Sequence, residues 1–314
     1  MISRFCNSLR FEIWCTVVLL LALSGESTAV MPFNADTVSR SVVYIFGPPD
    51  PAGNVHVATG FLLVIPLASD PDRGPVFLIT ARHVVDPRWA CAPEPNPTYV
   101  NIRLNKKQFR PEAGENGTNV LTLPLIDYKG NRLWLAHTNP SVDLAVIRVD
   151  PRVVEDYEHV ALPYSQIATR DEIVRDVVVG ADIATAGLIP ELVDEKRNYP
   201  LFKFGKISSL PAEPVRVPCM TNPTTRRTES LWYAATNAVP GNSGSPVIFV
   251  PDFLNIGVSR RAMVIGLLST SDLGADVAGI VPVEYLDEIF RASFADLDLT
   301  RGMRAGSPAT PVGK

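Results

Sequence analysis

Histidine is scarce in this chain: there are four, at positions 56, 83, 137 and 159, so chemistry that needs an imidazole has few candidates. No H-E-x-x-H string and no His/Cys cluster occurs, so no metal site is legible and no cofactor is expected. A basic excess is also missing. With a formal net charge of -4 and no Lys/Arg-rich run, little is available to neutralise a phosphate backbone, and nucleic acid is not an expected partner. No repeat of solenoid or propeller length is present either.

Long apolar runs are absent as well. The most apolar stretch, Ile13 to Leu23, falls well short of the roughly 20 residues needed to cross a hydrocarbon core. Arg4 and Arg10 precede it, and Ser27, Thr28 and Ala29 follow with small side chains. This is the pattern of a secretory signal, read here as residues 1–29 and cleaved after Ala29. The expected destination is secreted or periplasmic, with no stable membrane anchor after cleavage. Cys6 and Cys15 fall in the signal, which leaves Cys91 and Cys219. One bridge between them is compatible with an exported domain, as are two thiols, and sequence alone leaves the choice open.

What is present is strand. From Ser41 onward, short Val- and Ile-rich runs are separated by Pro, Gly, Asn and Asp: 41–46, 57–65, 76–80, 99–104, 144–149, 262–268 and 279–281. Only 283–294 has helical period, with Val283, Leu286, Ile289 and Phe290 on one face and Pro282 ahead of it. The Gly/Pro/Ala-rich end reads as a disordered tail over 297–314. A punctuated, charged stretch from Asp150 to Asp176 divides the strands. The expected units are therefore an all-β domain at 30–160 and a second at 161–296 that ends in the helix.

Three residues stand out against this background. His83 ends the apolar run Phe77-Leu78-Ile79-Thr80-Ala81-Arg82-His83, where a polar group emerges from a buried element. The other three histidines lie in polar contexts and read as solvated surface side chains. Asp143 opens the run Leu144 to Val149, where a carboxylate can accept an imidazole Nδ1–H and fix the tautomer. Ser243 lies between Gly241 and Gly244. Glycines there let successive N–H groups converge beside a hydroxyl, which is what an oxyanion needs. Every histidine precedes Ser243, so the Ser, acid, His order of α/β-hydrolases is excluded for this serine. The order that remains is His, Asp, Ser, with the first two residues in one domain and the third in the next.

At this point the sequence resembles the trypsin-like peptidases, more the bacterial and Deg/HtrA-like branch than the digestive enzymes. Thr80-Ala81-Arg82-His83 is similar to the family's T-A-x-H motif, Asp143-Leu144-Ala145-Val146 to its D-[IL]-A-[VL] strand, and Gly241-Asn242-Ser243-Gly244-Ser245-Pro246 to its G-[DN]-S-G-[GS]-P loop. The resemblance implies two perpendicular six-stranded antiparallel β-barrels of chymotrypsin type with a short C-terminal helix. It also implies a serine endopeptidase acting on protein or peptide through a His83, Asp143, Ser243 triad, with Gly241, Asn242 and Ser243 forming the oxyanion loop.

By the same resemblance, Asn237, Ser269, Thr270, Ser271 and Gly279 border the substrate pocket. Asn237 stands where enzymes that cleave after Lys or Arg carry an aspartate, which points to uncharged P1 residues. Asn242 stands where digestive zymogens carry the aspartate that pairs with a new N-terminus; that ion pair cannot form here, and the loop is expected to be competent without it or ordered by substrate. No PDZ domain is expected in the short stretch after the helix. Two alternatives share the same residues: a serine esterase, and an inactive triad-bearing domain that binds peptides.

Overall fold

The structure is a computed structural model that describes residues 34–50, 53–70, 73–190, 197–219, 222, 224–251, 261–269, 276–297 and 299. The expected signal at 1–29, the expected tail apart from Leu297 and Leu299, and the pocket residues Thr270 and Ser271 lie outside the described residues.

The first unit opens with helix α1 (Ala35–Ser41), capped by the Asn34 side chain, which accepts from Asp36 N–H at 2.9 Å. Eight strands follow: β1 (Val42–Pro49), β2 (Val55–Val64), β3 (Val76–Thr80), β4 (Tyr99–Asn105), β5 (Thr118–Pro124), β6 (Trp134–Ala136), β7 (Ala145–Val149) and β8 (Leu162–Pro163). A one-turn helix, α2 (Arg82–Val85), leaves the end of β3. The strands form one curled sheet in the order β5-β4-β1-β2-β3-β7-β6, with β8 added parallel to β2. The sheet curls round as the first barrel of the expected chymotrypsin-type fold, and its edge strands β5 and β6 are linked by backbone pairing at the turn between them: Ile126 bridges Arg132, and Leu133 N–H donates to the Leu125 carbonyl at 2.9 Å. β6 is only three residues long and pairs with β7 on its other side.

Beyond helix α3 (Arg170–Asp176), which Thr169 and Glu172 cap reciprocally, come β9 (Asp182–Gly187), β10 (Leu201–Ser209), β11 (Val215–Pro218), β12 (Arg226–Glu229), β13 (Trp232–Ala235), β14 (Pro246–Phe249), β15 (Met263–Leu268) and β16 (Val277–Pro282). Six of them close a barrel in the order β10-β13-β16-β15-β14-β9, while β11 and β12 form a separate hairpin. The helix expected near the C-terminus is α4 (Glu284–Ser293).

The apolar runs of β2, β3 and β7 lack polar alternation because both of their faces are buried. Leu62, Leu78 and Ile147 fill the interior of the first unit. Phe61, Leu63, Phe77, Ile79 and Val146 point the other way, into a core shared with β14, β15 and α4. Phe290 of α4 meets Phe77 at 5.0 Å and Tyr164 edge-on at 6.0 Å between ring centroids. Each such pair adds about 0.5–1.5 kcal/mol beyond burial. The C-terminal helix therefore clamps the back of the first sheet, and the two halves share one apolar interior. Just beyond β11, Cys219 is joined to Cys91 of the first unit as a disulfide, which answers the question the sequence left open.

Candidate active site

Strand register brings the imidazole and the carboxylate together. β3 and β7 run antiparallel with Thr80 opposite Ala145. His83 lies just beyond Thr80 on α2, and Asp143 just before Ala145, so both arrive at the same end of the ladder. Asp143 is fully buried and His83 is 8% exposed. One carboxylate oxygen of Asp143 accepts the His83 main-chain N–H at 2.9 Å, and the other lies 2.7 Å from His83 Nδ1. That second oxygen also accepts the Ser269 hydroxyl at 2.5 Å.

The electrostatics follow from this cage. Burial works against the His83 imidazolium, but the charge and hydrogen bond of Asp143 outweigh it and hold the ring above its ordinary pKa. Burial likewise pushes Asp143 up, while His83 and the Ser269 hydrogen bond pull it down further, leaving it below the usual carboxylate range. The pair is thus an imidazole made more basic by the buried carboxylate that holds it.

The serine loop joins β13 to β14 and is bonded to the first sheet next to this pair. Thr59 N–H donates to the Ser243 carbonyl at 2.9 Å, and the Thr59 hydroxyl donates to the Gly241 carbonyl at 2.8 Å. Gly244, at φ +88°, approaches so closely that an added Cβ would lie 2.1 Å from the Thr59 carbonyl oxygen and 2.4 Å from Thr80 Oγ1. Only glycine permits that contact, and it seats the loop on the strands that lead into His83. Gly241 also has positive φ, at +92°. The Ser243 hydroxyl donates to the Ser269 carbonyl at 3.1 Å, and no hydrogen bond to the His83 ring is formed among the described residues.

Three consecutive residues were expected to make the oxyanion loop, and the structure separates their parts. Asn242 N–H donates back to the Val239 carbonyl at 3.0 Å and is not available to a ligand. Its buried side chain braces the loop instead: Nδ2 donates to the Leu188 carbonyl at 3.0 Å, and Oδ1 accepts from Lys203 Nζ at 3.0 Å and from Val239 N–H at 3.3 Å. Gly241 and Ser243 N–H make no hydrogen bond among the described residues, so two donors remain for an incoming oxygen.

Of the pocket residues, Ser269 and Gly279 are brought together: Ser269 N–H donates to the Gly279 carbonyl at 2.9 Å, and Gly279 pairs with Tyr233 across β16 and β13. Asn237 is exposed just beyond β13, with no hydrogen bond to either.

Two histidines depart from the expected solvated surface. His159 is 3% exposed, with Nδ1–H donating to the Arg40 carbonyl at 2.9 Å and Nε2 accepting from Asn105 N–H at 2.9 Å. His137 is half-buried, edge-on to Tyr285 and 2.7 Å from Glu288. Only His56 stands exposed as read. Sequence reasoning missed Thr59, Lys203 and the buried Arg227–Glu229 pair beside Ser269. Arg226-Arg227-Thr228-Glu229 is polar throughout, and nothing local marks Glu229 as 1% exposed. Among the described residues no group of three or more His, Cys, Asp or Glu is arranged to hold a metal ion.

Comparison with known proteins gives the frame for this geometry. No curated protein matches the chain. Among solved structures it is similar to the Rv3671c protease from M. tuberculosis in its active form, at 17% identity and a TM-score of 0.47, covering 82% of each chain. It is also similar to an inactive form of that protease, at 17% identity and a TM-score of 0.42, over 82% of this chain and 90% of the other. The family described as trypsin-like peptidase domain matches residues 58–252. That match spans the described elements from β2 through β14, and the chain belongs to the trypsin-like peptidase domain family, as a serine endopeptidase.

Proposed function

We propose that this endopeptidase cleaves peptide bonds through Ser243 as nucleophile, His83 as general base and Asp143 as the carboxylate that orients His83. The observation that carries the reading is the grip of buried Asp143 on His83, main chain at 2.9 Å and ring at 2.7 Å, at the ladder end where Thr59 binds the Ser243 carbonyl. A carboxylate on Nδ1 leaves Nε2 as the free lone pair of the neutral ring.

In the reaction the Ser243 hydroxyl leaves the Ser269 carbonyl, gives its proton to His83 Nε2, and its oxygen attacks the scissile carbonyl carbon. The carbonyl oxygen, now an anion, accepts from Gly241 and Ser243 N–H. His83 passes the proton to the leaving amine as the C–N bond breaks, which leaves Ser243 acylated. Water, deprotonated by His83, then releases the acid and restores the serine. Asn237 supplies no negative charge to the pocket, which favours uncharged P1 residues. The leader at 1–29 supports a secreted or periplasmic enzyme. Among the described residues, no helix is long and apolar enough to cross a membrane.

A fluorophosphonate probe tests the nucleophile: labelling of folded wild type that disappears in Ser243→Ala is expected, and an unlabelled wild type removes the proposal in favour of a peptide-binding domain. Casein digestion set against p-nitrophenyl ester turnover separates peptidase from esterase. P1 profiling with a peptide library that returned a strict Arg/Lys preference would sink the pocket reading alone.

A further inference from the structure

Behind Asp143 lies a second buried carboxylate that the acyl-transfer steps do not use. Glu229, the last residue of β12, accepts from Arg227 Nε through Oε1 at 2.5 Å, and its Oε2 lies 3.1 Å from Ser269 Oγ. Ser269 Oγ in turn lies 2.5 Å from Asp143 Oδ2. A continuous polar chain therefore runs Arg227, Glu229, Ser269, Asp143, His83, from a hairpin of the second unit to the base of the first. Glu229 is 1% exposed and Ser269 is 1% exposed, so no part of this link is built in bulk solvent.

The chain has a proton-counting problem. A serine hydroxyl has one proton, and here it faces two carboxylate oxygens. The shorter contact assigns that proton to Asp143. Glu229 Oε2 is then turned toward the lone pairs of Ser269 Oγ, a repulsive contact if Oε2 is bare and a hydrogen bond if it carries a proton. Arg227 closes on one oxygen only: its Nε donates to Oε1 at 2.5 Å and its Nη2 pairs with the same Oε1, its Nη1 donates to the Pro218 carbonyl at 3.1 Å and the guanidinium stacks on Trp89, which leaves Oε2 outside the ion pair.

We propose that Glu229 is a positioning residue for the peptidase reaction: it carries a proton on Oε2, donates it to Ser269 Oγ, and so commits the Ser269 hydroxyl to Asp143. Asp143 then receives three donors, His83 N–H, His83 Nδ1–H and Ser269 Oγ–H, and cannot turn away from the ring. This rests on the assignment of His83, Asp143 and Ser243 made above. The groups that face Glu229 are Arg227 on β12, Asp143 before β7, His83 on α2 and Tyr233 on β13. Burial, and then the charge of Asp143, push the Glu229 carboxyl above its ordinary pKa; Arg227 and His83 pull against them without reversing the direction.

Two variants and a pH profile test it. Glu229→Gln keeps an acceptor for Arg227 and a donor for Ser269, so kcat is expected within about threefold of wild type, with the acid limb of kcat/KM unmoved. Glu229→Leu removes the donor, and kcat is expected to fall at least about tenfold at unchanged KM. An acid limb in Glu229→Gln displaced downward by about half a pH unit or more overturns the proposal, because it means that Glu229 was charged while His83 titrated. So does a folded Glu229→Leu enzyme with wild-type kcat. If Glu229→Leu does not fold, the Gln profile still decides. Fluorophosphonate labelling of wild type run alongside separates the two readings: an unlabelled wild type rejects the triad, whereas a labelled wild type with failed Glu229 expectations rejects only this inference.

Discussion

The Thr59 hydroxyl donates to the Gly241 main-chain carbonyl at 2.8 Å, so a strand of the first unit holds the proposed oxyanion loop of the second. The same hydroxyl accepts from Leu188 N–H at 3.2 Å. One side chain thus ties β2, the residue after β9 and the serine loop together. Thr59→Val keeps the shape and removes the hydroxyl. Loss of an oxyanion donor costs roughly 10²–10³ in kcat, and loosening one costs less. A fall in kcat of about tenfold with little change in KM is expected, and a wild-type kcat from steady-state assays rejects this role for Thr59.

Asp143 raises His83 above its ordinary pKa against the opposing effect of burial. Activity therefore rises with pH as His83 loses its proton, and the midpoint of that rise belongs to the free enzyme in kcat/KM. Asp143→Asn removes the charge and favours the wrong ring tautomer. Both the midpoint and kcat are expected to fall, kcat by about 10⁴-fold. A variant whose profile keeps the wild-type midpoint contradicts the electrostatic assignment.

His159 gives a stability prediction whose sign can be worked out. Burial lowers its pKa to about 4, below the unfolded value of about 6.5. The folded chain thus binds fewer protons than the unfolded chain between these values. The stabilising contribution is complete above pH 6.5 and is lost as pH falls toward 4. Its full size is roughly 3 kcal/mol. Urea unfolding at pH 7 and pH 4.5 should show a smaller loss for His159→Gln than for wild type. Equal losses exclude His159 as a source of acid lability.

The strands were legible because their apolar runs were short, rich in Val and Ile, and separated by Pro, Gly, Asn and Asp, and β3 and β16 fall where the sequence places them. Local order of this kind survives folding where a run is buried on both faces, as in β3 and β15. His83 and Asp143 stood out in sequence on similar grounds, as polar groups at the ends of apolar runs, and the structure places them in contact. What escaped was everything set by long-range approach. His159 lies among Glu155, Asp156 and Glu158 in sequence, yet its ring is enclosed by Arg40 and Asn105, far away in the chain. Glu229 alternates with Arg227 like a solvated strand, and only the hairpin's closure over Trp89 and Ser269 buries it.

Lys203 and Asn242 raise the question of how the serine loop is held without a carboxylate. Lys203 Nζ donates to Asn242 Oδ1 at 3.0 Å, and burial holds its ammonium below the ordinary lysine pKa. A cation is thus already present inside the chain, needing no newly cut N-terminus. Lys203→Met keeps the stem and removes the charge. Because Val239 N–H and the Leu188 carbonyl still hold Asn242, a modest loss of about 1 kcal/mol is expected. Asn242→Asp gives up the donor to Leu188, at roughly 1–3 kcal/mol, but gains Lys203 as a counter-ion. In the Lys203→Met background the same aspartate is buried and unpaired, a situation that costs about 3–5 kcal/mol. The double-mutant cycle should therefore show coupling of about 2 kcal/mol or more, read from urea unfolding. Additive effects would mean that the ammonium does not act on residue 242, and that the loop is braced by Leu188 and Val239 alone.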